Sequence, residues 1–400
     1  MKSEWWVYLI GILVVVGGLA FGAYKFRQKS RVQRVEQQIA LIESLQSEKR
    51  YGEALDQSAA LAPRLKDPEI QSRLERLTVQ ILMREKKVDE ARKRAEAFLK
   101  AYPKSPNLGT IHYVLGKIAL EQDNNRKVAG QHFEEVITKY ASDPSSPAAL
   151  LGLANLDVLV GELLSAKTRL DQLAEMPLDS ELRPSVEKLL GDVNTQILKS
   201  AQLLPGDELY EMKRGDSLDA IRRRYHVEAD LLQRINQIRD PRMLKAGRRI
   251  KIPKVDFSIL VNISDNSLTL FNQGKFFKKY RVRTGRTSGL TPTGQFKIQD
   301  KLKNPPWEDP ATGKIYRPGS PENELGTRWL KFDRPGLGIH GTIHPDSIGQ
   351  YASRGCVGML KDDVEELYDL VPRGTVVTVV GERPKADYGS TESTSETQHP

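Results

Sequence analysis

The apolar positions change their period along the chain, and each change marks a different kind of structure. From Trp5 to Tyr24 the run WWVYLIGILVVVGGLAFGAY carries no charge, and about twenty apolar residues match one helical crossing of a bilayer's hydrocarbon core. A transmembrane helix is expected over 5–24. Trp5, Trp6, Tyr8 and Tyr24 lie near its ends, where amphipathic rings prefer the interface. A cleaved signal peptide is the alternative, but the apolar run exceeds a usual signal core and no A-x-A-like site follows it. Gly18 and Gly22 form a small-xxx-small pair, a spacing that arises often by chance in glycine-rich spans.

Residues 33–200 are rich in Ala, Leu, Glu, Gln, Lys and Arg, with apolar positions three to four apart, which predicts amphipathic helices. Pro103 and Pro106 lead into IHYVLGKIALEQDN and then VAGQHFEEVITKY, and Pro144 with Pro147 leads into ALLGLANLDVLVGELLSAKTRLDQLAEMP. His112 and His132 fall in these helices and are expected to pack or face solvent, since nothing spaces them as metal ligands. After Pro205-Gly206, residues 208–253 predict a strand, two short helices and a closing strand. Asp216 and Ser217 are expected to cap the first of those helices, and Asn236 to close the second. From Phe257 the apolar period becomes two, with Asp-Asn and Gln-Gly turns, so 256–381 is expected to be mainly β. Its long Pro- and Gly-rich middle, NPPWEDPATGKIYRPGSPENELGTRWLKF, predicts a lid or binding surface rather than filler. The polar stretch 385–400 is expected to be disordered.

Charge and cysteine content narrow the chemistry. The 400 residues have a formal charge of +9, which suits an anionic surface, yet no basic and aromatic module for nucleic acid is recognisable. Lys25, Arg27, Lys29 and Arg31 follow the apolar run while Lys2 precedes it, so the charge rule favours a cytoplasmic C-terminal side. With one cysteine, an intrachain disulfide is impossible and zinc sites built on cysteine pairs are excluded. A lone cysteine is by default a small buried hydrophobe. Here its neighbours argue otherwise. Cys356 stands in Ser353-Arg354-Gly355-Cys356, sixteen positions after His340-Gly341. A thiol needs a base or a nearby cation to be a good nucleophile near neutral pH, and His340 is the candidate base. Gly355 lets the backbone approach a substrate closely, and the N–H groups around Cys356 can hold an oxyanion.

Two resemblances sharpen this reading. Tyr210, Gly215 to Leu218, Ile221, Tyr225, Leu232, Asn236, Leu244, Gly247 and Ile252-Pro253 make 208–253 resemble a lysin-motif (LysM) domain. That implies binding of the N-acetylglucosamine of peptidoglycan or chitin. Arg222, Arg223 and Arg224 read more simply as a solvated face. The helices of 33–200 resemble tetratricopeptide-like repeats with a period near forty, whose pairs stack into a solenoid. They imply a surface for a protein partner or a spacer from the membrane.

The segment IHGTIHPDSIGQYASRGCVGM, together with TPTGQF, NPPW and PENELGTRW, resembles the L,D-transpeptidase catalytic domain over 256–381. The resemblance implies that Cys356 is acylated by a tetrapeptide stem, typically at diaminopimelate, with release of D-alanine. His340 is then the base, and the Gly341 carbonyl orients its ring. A second stem's amine resolves the thioester to give a 3-3 crosslink, with no metal or organic cofactor. Ser353, Gly355, Arg354, Arg328 and Trp307 are implied as supporting residues. The family usually carries Arg two residues after the cysteine, where this chain has Gly358. Arg354 and Arg328 are the expected substitutes. Water as acceptor would make an L,D-carboxypeptidase, and Gly358 leaves room for a weakly active wall-binding scaffold. His344 is expected to be a loop residue. Such an enzyme needs its C-terminal domains on the periplasmic or wall side of a single-pass anchor in the bacterial inner or cytoplasmic membrane, against the charge rule.

Overall fold

The computed structural model describes residue 29 and residues 31–384; the span expected over 5–24 and the tail expected over 385–400 lie outside the described residues. Among the described residues no helix is long and apolar enough to cross a membrane. The chain forms two compact units that divide between Glu162 and Leu163.

The first unit is helical. Its members are α1 (31–47), α2 (Tyr51–Leu61), α3 (Pro68–Arg84), α4 (Val88–Ala101), α5 (Leu108–Glu121), α6 (Arg126–Lys139) and α7 (Ser146–Val160). From α2 onward each packs on the next, and α3 also packs on α5 and α5 on α7. Stacking follows from the three-to-four spacing, because one helix pair cannot bury its apolar stripe alone. The turn before α7 locks one pair to the next: the buried Asp143 carboxylate accepts from Thr110 N (3.0 Å), Thr110 Oγ1 (3.0 Å) and Ser145 N (2.8 Å). Those N–H groups lie where helix starts leave donors unpaired. His112 and His132 meet through their Nδ1 atoms at 3.0 Å, and burial lowers the pKa of both. Phe133, 2 % exposed, is held between two glycines, Gly116 and Gly152.

The second unit begins with α8 (Leu163–Ala174) and α9 (Leu182–Lys199), which pack on each other. The helices expected over 33–200 are thus shared between the two units. β1 (Glu208–Glu211), α10 (Leu218–Tyr225), α11 (Ala229–Ile235) and β2 (Arg249–Ile252) follow, with β1 antiparallel to β2. Ser217 caps α10 by accepting from Ala220 N at 3.2 Å. Asp216 does not cap it, because its carboxylate is taken by Tyr210 OH and Lys213 N, each at 2.7 Å. Asn236 ties the end of α11 to β2: Nδ2 donates to the carbonyls of Leu232 (3.0 Å) and Lys251 (2.8 Å), and Oδ1 accepts from Lys251 N (2.6 Å).

The rest is the β-rich domain. Its strands are β3 (Phe257–Asn262), β4 (Ser267–Asn272), β5 (Lys275–Arg281), β6 (Thr284–Gly285), β7 (Gly294–Lys303), β8 (Trp307–Glu308), β9 (Ile315–Tyr316), β10 (Arg328–Phe332), β11 (Gly338–Gly341), β12 (Tyr351–Ser353), β13 (Val357–Met359) and β14 (Val376–Val380), with α12 (Lys361–Leu370) before the last. Eight strands form one sheet in the order β13-β11-β10-β7-β14-β3-β4-β5, and β6 pairs with β12. β8 and β9 make a small hairpin inside the long middle segment. Two neighbours brace this sheet. Asn194 on α9 donates to the Phe277 carbonyl of edge strand β5 at 2.9 Å, and a covered edge resists pairing with a second chain. Lys301 on β7, 4 % exposed, reaches Glu228 at 3.1 Å and the Val371 carbonyl at 2.6 Å. Glu228 precedes α11, so this buried charge pair fastens the strand-helix-helix-strand module to the sheet.

The Phe133 clamp gives a stability test. A methyl group at Gly116 or Gly152 would come within 2.7 Å of the Phe133 ring, whereas one at Gly52 meets nothing within 4 Å. Gly116→Ala and Gly152→Ala are each expected to destabilise the helical unit by about 1–3 kcal/mol through overpacking. Gly52→Ala is expected to be neutral or stabilising by up to about 1 kcal/mol. Thermal unfolding followed by far-ultraviolet circular dichroism separates the two outcomes.

Candidate active site

The site grows from one strand and one tight turn. In β11 the side chains alternate, so Ile339 enters the core and His340 faces the opposite way. Trp329 on β10 pairs with His340 across the antiparallel ladder, with ring centres 5.8 Å apart. On the other side of β11, His340 pairs with Gly358 of the parallel strand β13. Two residues before Gly358, on the same face by the strand period, stands Cys356.

The turn that carries Cys356 is pinned from within. Ser353 Oγ accepts from Gly355 N at 3.1 Å and donates to the Cys356 carbonyl at 2.6 Å. Gly355 has φ of +135°, and a β-carbon there would come within 2.7 Å of the Leu290 carbonyl oxygen. No other residue fits that turn without strain. Thr291 Oγ1 donates to the Gly355 carbonyl and accepts from Gly285 N, both at 2.8 Å, which anchors the turn to β6. The Gly355 N–H is therefore engaged by Ser353 and is not available as an oxyanion donor.

Cys356, His340, Ser353, Arg354 and Trp307 line one cleft of about 410 Å³, together with Arg283, Trp329 and Glu324. Gly341 contributes its carbonyl: it accepts a short hydrogen bond from His340 Nδ1. A carbonyl can only accept, so Nδ1 carries the proton and Nε2 is left with a lone pair. The Cys356 thiol donates to the Gly336 carbonyl at 3.3 Å. Trp307 stacks on Tyr316 across the β8–β9 hairpin at 5.1 Å, which makes that hairpin a cleft wall.

Both reactive groups rest uncharged. Burial pushes the Cys356 thiol up to about 11, against weaker opposing pulls from a hydrogen bond at Gly338 and the charge of Arg283. Burial also drives His340 down to about 4, and the Arg283 charge adds to that fall. Between these values the thiol keeps its proton and the imidazole stays neutral. A thiol and a neutral imidazole in one cleft can carry out acyl transfer if the proton leaves sulfur as the new bond forms.

The two expected arginines differ in placement, and Arg328 needs correction. Arg354 lines the cleft, but its Nη1 is paired with Asp309 at 2.6 Å, and Asp309 also accepts from Ala311 N and Thr312 Oγ1. The hydrogen bonds from Ala311 N and Arg354 hold the Asp309 carboxyl at about 2. Arg354 thus clasps the cysteine turn to the hairpin while lining the cleft. Arg328 is not in the cleft at all. Alternation along β10 sends Trp329 to the site and Arg328 to the side of α12, where it pairs with Glu365 at 3.6 Å and lies over Tyr368. His344 is an exposed loop residue. A second cation that lines the cleft is Arg283. In sequence it follows Arg281 and Val282 as a second arginine at alternating spacing, and that pattern reads as a solvated strand face.

The sequence matches a family of known proteins. The L,D-transpeptidase catalytic domain profile matches residues 256–379, and the LysM domain profile matches 210–253. YqjB of Bacillus subtilis, named as an L,D-transpeptidase, is 38 % identical over 126 residues, covering 30 % of this chain and 69 % of that protein. YkuD of Bacillus subtilis, also named as an L,D-transpeptidase, is 34 % identical over 176 residues, covering 42 % of this chain and 97 % of that protein. The chain belongs to the L,D-transpeptidase family, and a LysM domain precedes its catalytic domain.

The resting charge state is directly testable. Because only the thiolate is alkylated at an appreciable rate, iodoacetamide modification of Cys356 should rise about tenfold per pH unit from pH 6 to 9. A plateau reached below pH 8 would mean a preformed thiolate–imidazolium pair instead. Intact-mass spectrometry follows the reaction, since Cys356 is the chain's one cysteine.

Proposed function

We propose that this protein is a membrane-anchored peptidoglycan L,D-transpeptidase that forms 3-3 crosslinks through a thioester on Cys356. The observation that carries this reading is the Cys356 thiol sharing a cleft with an imidazole whose Nδ1–H is committed to the Gly341 carbonyl. As Sγ attacks the carbonyl that follows the L-centre of a tetrapeptide stem, His340 Nε2 takes the thiol proton. The tetrahedral adduct collapses, the C–N bond breaks, and the proton passes from His340 to the departing D-alanine amine. The side-chain amine of a second stem then attacks the thioester, gives its proton to His340, and Cys356 leaves and is reprotonated. With both groups neutral at rest, proton transfer accompanies attack, and an un-ionised thiol resists oxidation between turnovers.

The other parts serve delivery. The LysM domain is proposed to hold the N-acetylglucosamine-containing glycan, and its fastening to the sheet through Lys301 and Glu228 keeps glycan and stem peptide in one reference frame. The apolar run 5–24 is proposed to anchor the chain in the bacterial inner or cytoplasmic membrane, with the enzyme on the outer face where crosslinked substrate exists. The stacked helices are proposed to act as tetratricopeptide-like repeats that reach from the membrane toward the wall and offer a protein-binding surface.

Incubation with a tetrapeptide donor or a carbapenem, followed by intact-mass analysis, should add one acyl adduct to the wild type and none to Cys356→Ala. His340→Ala should slow acylation by about 10²–10⁴-fold, the range of a lost general base. Muropeptide profiling should then find 3-3 crosslinked dimers; tripeptide stems alone would mean that water is the acceptor, and absence of an adduct would overturn the enzyme reading.

A further inference from the structure

Arg283 is unusual among the cations of the described residues. It is 5 % exposed, yet no carboxylate among the described residues lies within 4.0 Å of its guanidinium. Its Nη1 meets Ser347 Oγ at 3.3 Å, and its Nε is buried with no hydrogen-bond partner. A buried charge without an anion is costly, and proteins normally pair it. The guanidinium nonetheless lines the same cleft as Cys356 and His340. Its burial works against the charged form, and the cleft carboxylate of Glu324 is the main favourable charge it feels.

The backbone explains how it gets there. Arg283 N donates to the Gly358 carbonyl at 2.8 Å, and Gly358 N donates to the Arg283 carbonyl at 3.0 Å. Gly358 therefore sits between His340 on one side and Arg283 on the other. Residues paired across neighbouring strands share a face. The middle position has no side chain, and the arginine lies across it: a β-carbon at 358 would fall 2.5 Å from Arg283 Nε and 2.6 Å from its Cγ. Those atoms are in the body of the side chain, so any larger residue at 358 must shift Arg283 from its place across the strand.

We propose that Arg283 is the carboxylate anchor of the acyl donor, taking the C-terminal carboxylate of the departing residue, and that Gly358 is there to let it lie across the cleft. This rests on the transpeptidase reading and deepens it. An enzyme that removes a terminal residue must recognise the chain end, and a fixed guanidinium beside the nucleophile supplies a fork for a carboxylate. Donor binding completes the pair that the free enzyme lacks. Gly358 in the middle strand then belongs to a working site.

The test compares two donors on the full chain: a tetrapeptide with a free C-terminal carboxylate and the same peptide as its C-terminal amide. Acylation of Cys356 is read by mass spectrometry over time. Wild type should prefer the acid by about a hundredfold in kcat/KM, the scale of a buried charge pair with one partner removed. In Arg283→Gln the acid should fall to within about threefold of the amide, with Arg283→Lys restoring part of the preference. Gly358→Ala should lose the preference as well, although Arg283 is still present. Alkylation of Cys356 by iodoacetamide at pH 9 reports whether the turn is intact in each variant. Equal acylation of acid and amide by wild type, an undiminished preference in Arg283→Gln, or equal loss of both donors together with altered alkylation would overturn the anchor alone. Failure of wild type to be acylated by either donor would overturn the transpeptidase reading first.

Discussion

Three backbone segments lying side by side, β11, β13 and the residue just before β6, set up the whole site. Their hydrogen bonds bring His340, Gly358 and Arg283 into one row. Cys356 stands two residues before the central member of that row, on the same face. Because the row is made of ladder bonds rather than side-chain contacts, its spacing is fixed by the roughly 4.8 Å separation of strands. Backbone positions in such a row are fixed before any substrate arrives, so little backbone conformational entropy is left to lose there.

The same row concentrates electrostatic cost. A neutral thiol, a neutral imidazole and a buried guanidinium share one cleft. Burial disfavours every charged form, so the two reactive groups remain neutral, while Arg283 and Arg354 face Glu308 and Glu324 in the same lining. Arg283 is the cation there that no carboxylate among the described residues pairs within 4.0 Å. Neutral resting groups also keep the cysteine from reacting indiscriminately, and the Gly355 turn and the Arg354–Asp309 clasp hold the backbone that carries the thiol.

The surroundings extend that rigidity outward. Lys301 and Glu228 join the LysM module to the sheet, Arg234 and Asp369 add a second ion pair beside it, and α9 covers the β5 edge through Asn194. An exposed edge would invite pairing with another chain, and a loosely tethered module would lose the advantage of linked binding. Both problems are met by packing within the second unit.

Much of this was legible in the residues alone. The three-to-four spacing of 33–200, the strand-helix-helix-strand order of 208–253 and the period-two strands after Phe257 are local patterns, and local sterics and burial are enough to write them. His340, Cys356 and the Ser353–Cys356 turn could be read for the same reason: their spacing is short and their chemistry is carried by residue type. What sequence could not decide is which cation attends them. Arg354 and Arg328 are close in motif terms, but a β-strand sends neighbouring residues to opposite faces, and a nearby carboxylate claims whichever arginine it can reach. Arg283 stands 73 positions before Cys356 and looks solvated by its alternation with Arg281. Only tertiary pairing with Gly358 turns it inward, because strand register, unlike helical or turn preference, is set by contacts between distant parts of the chain.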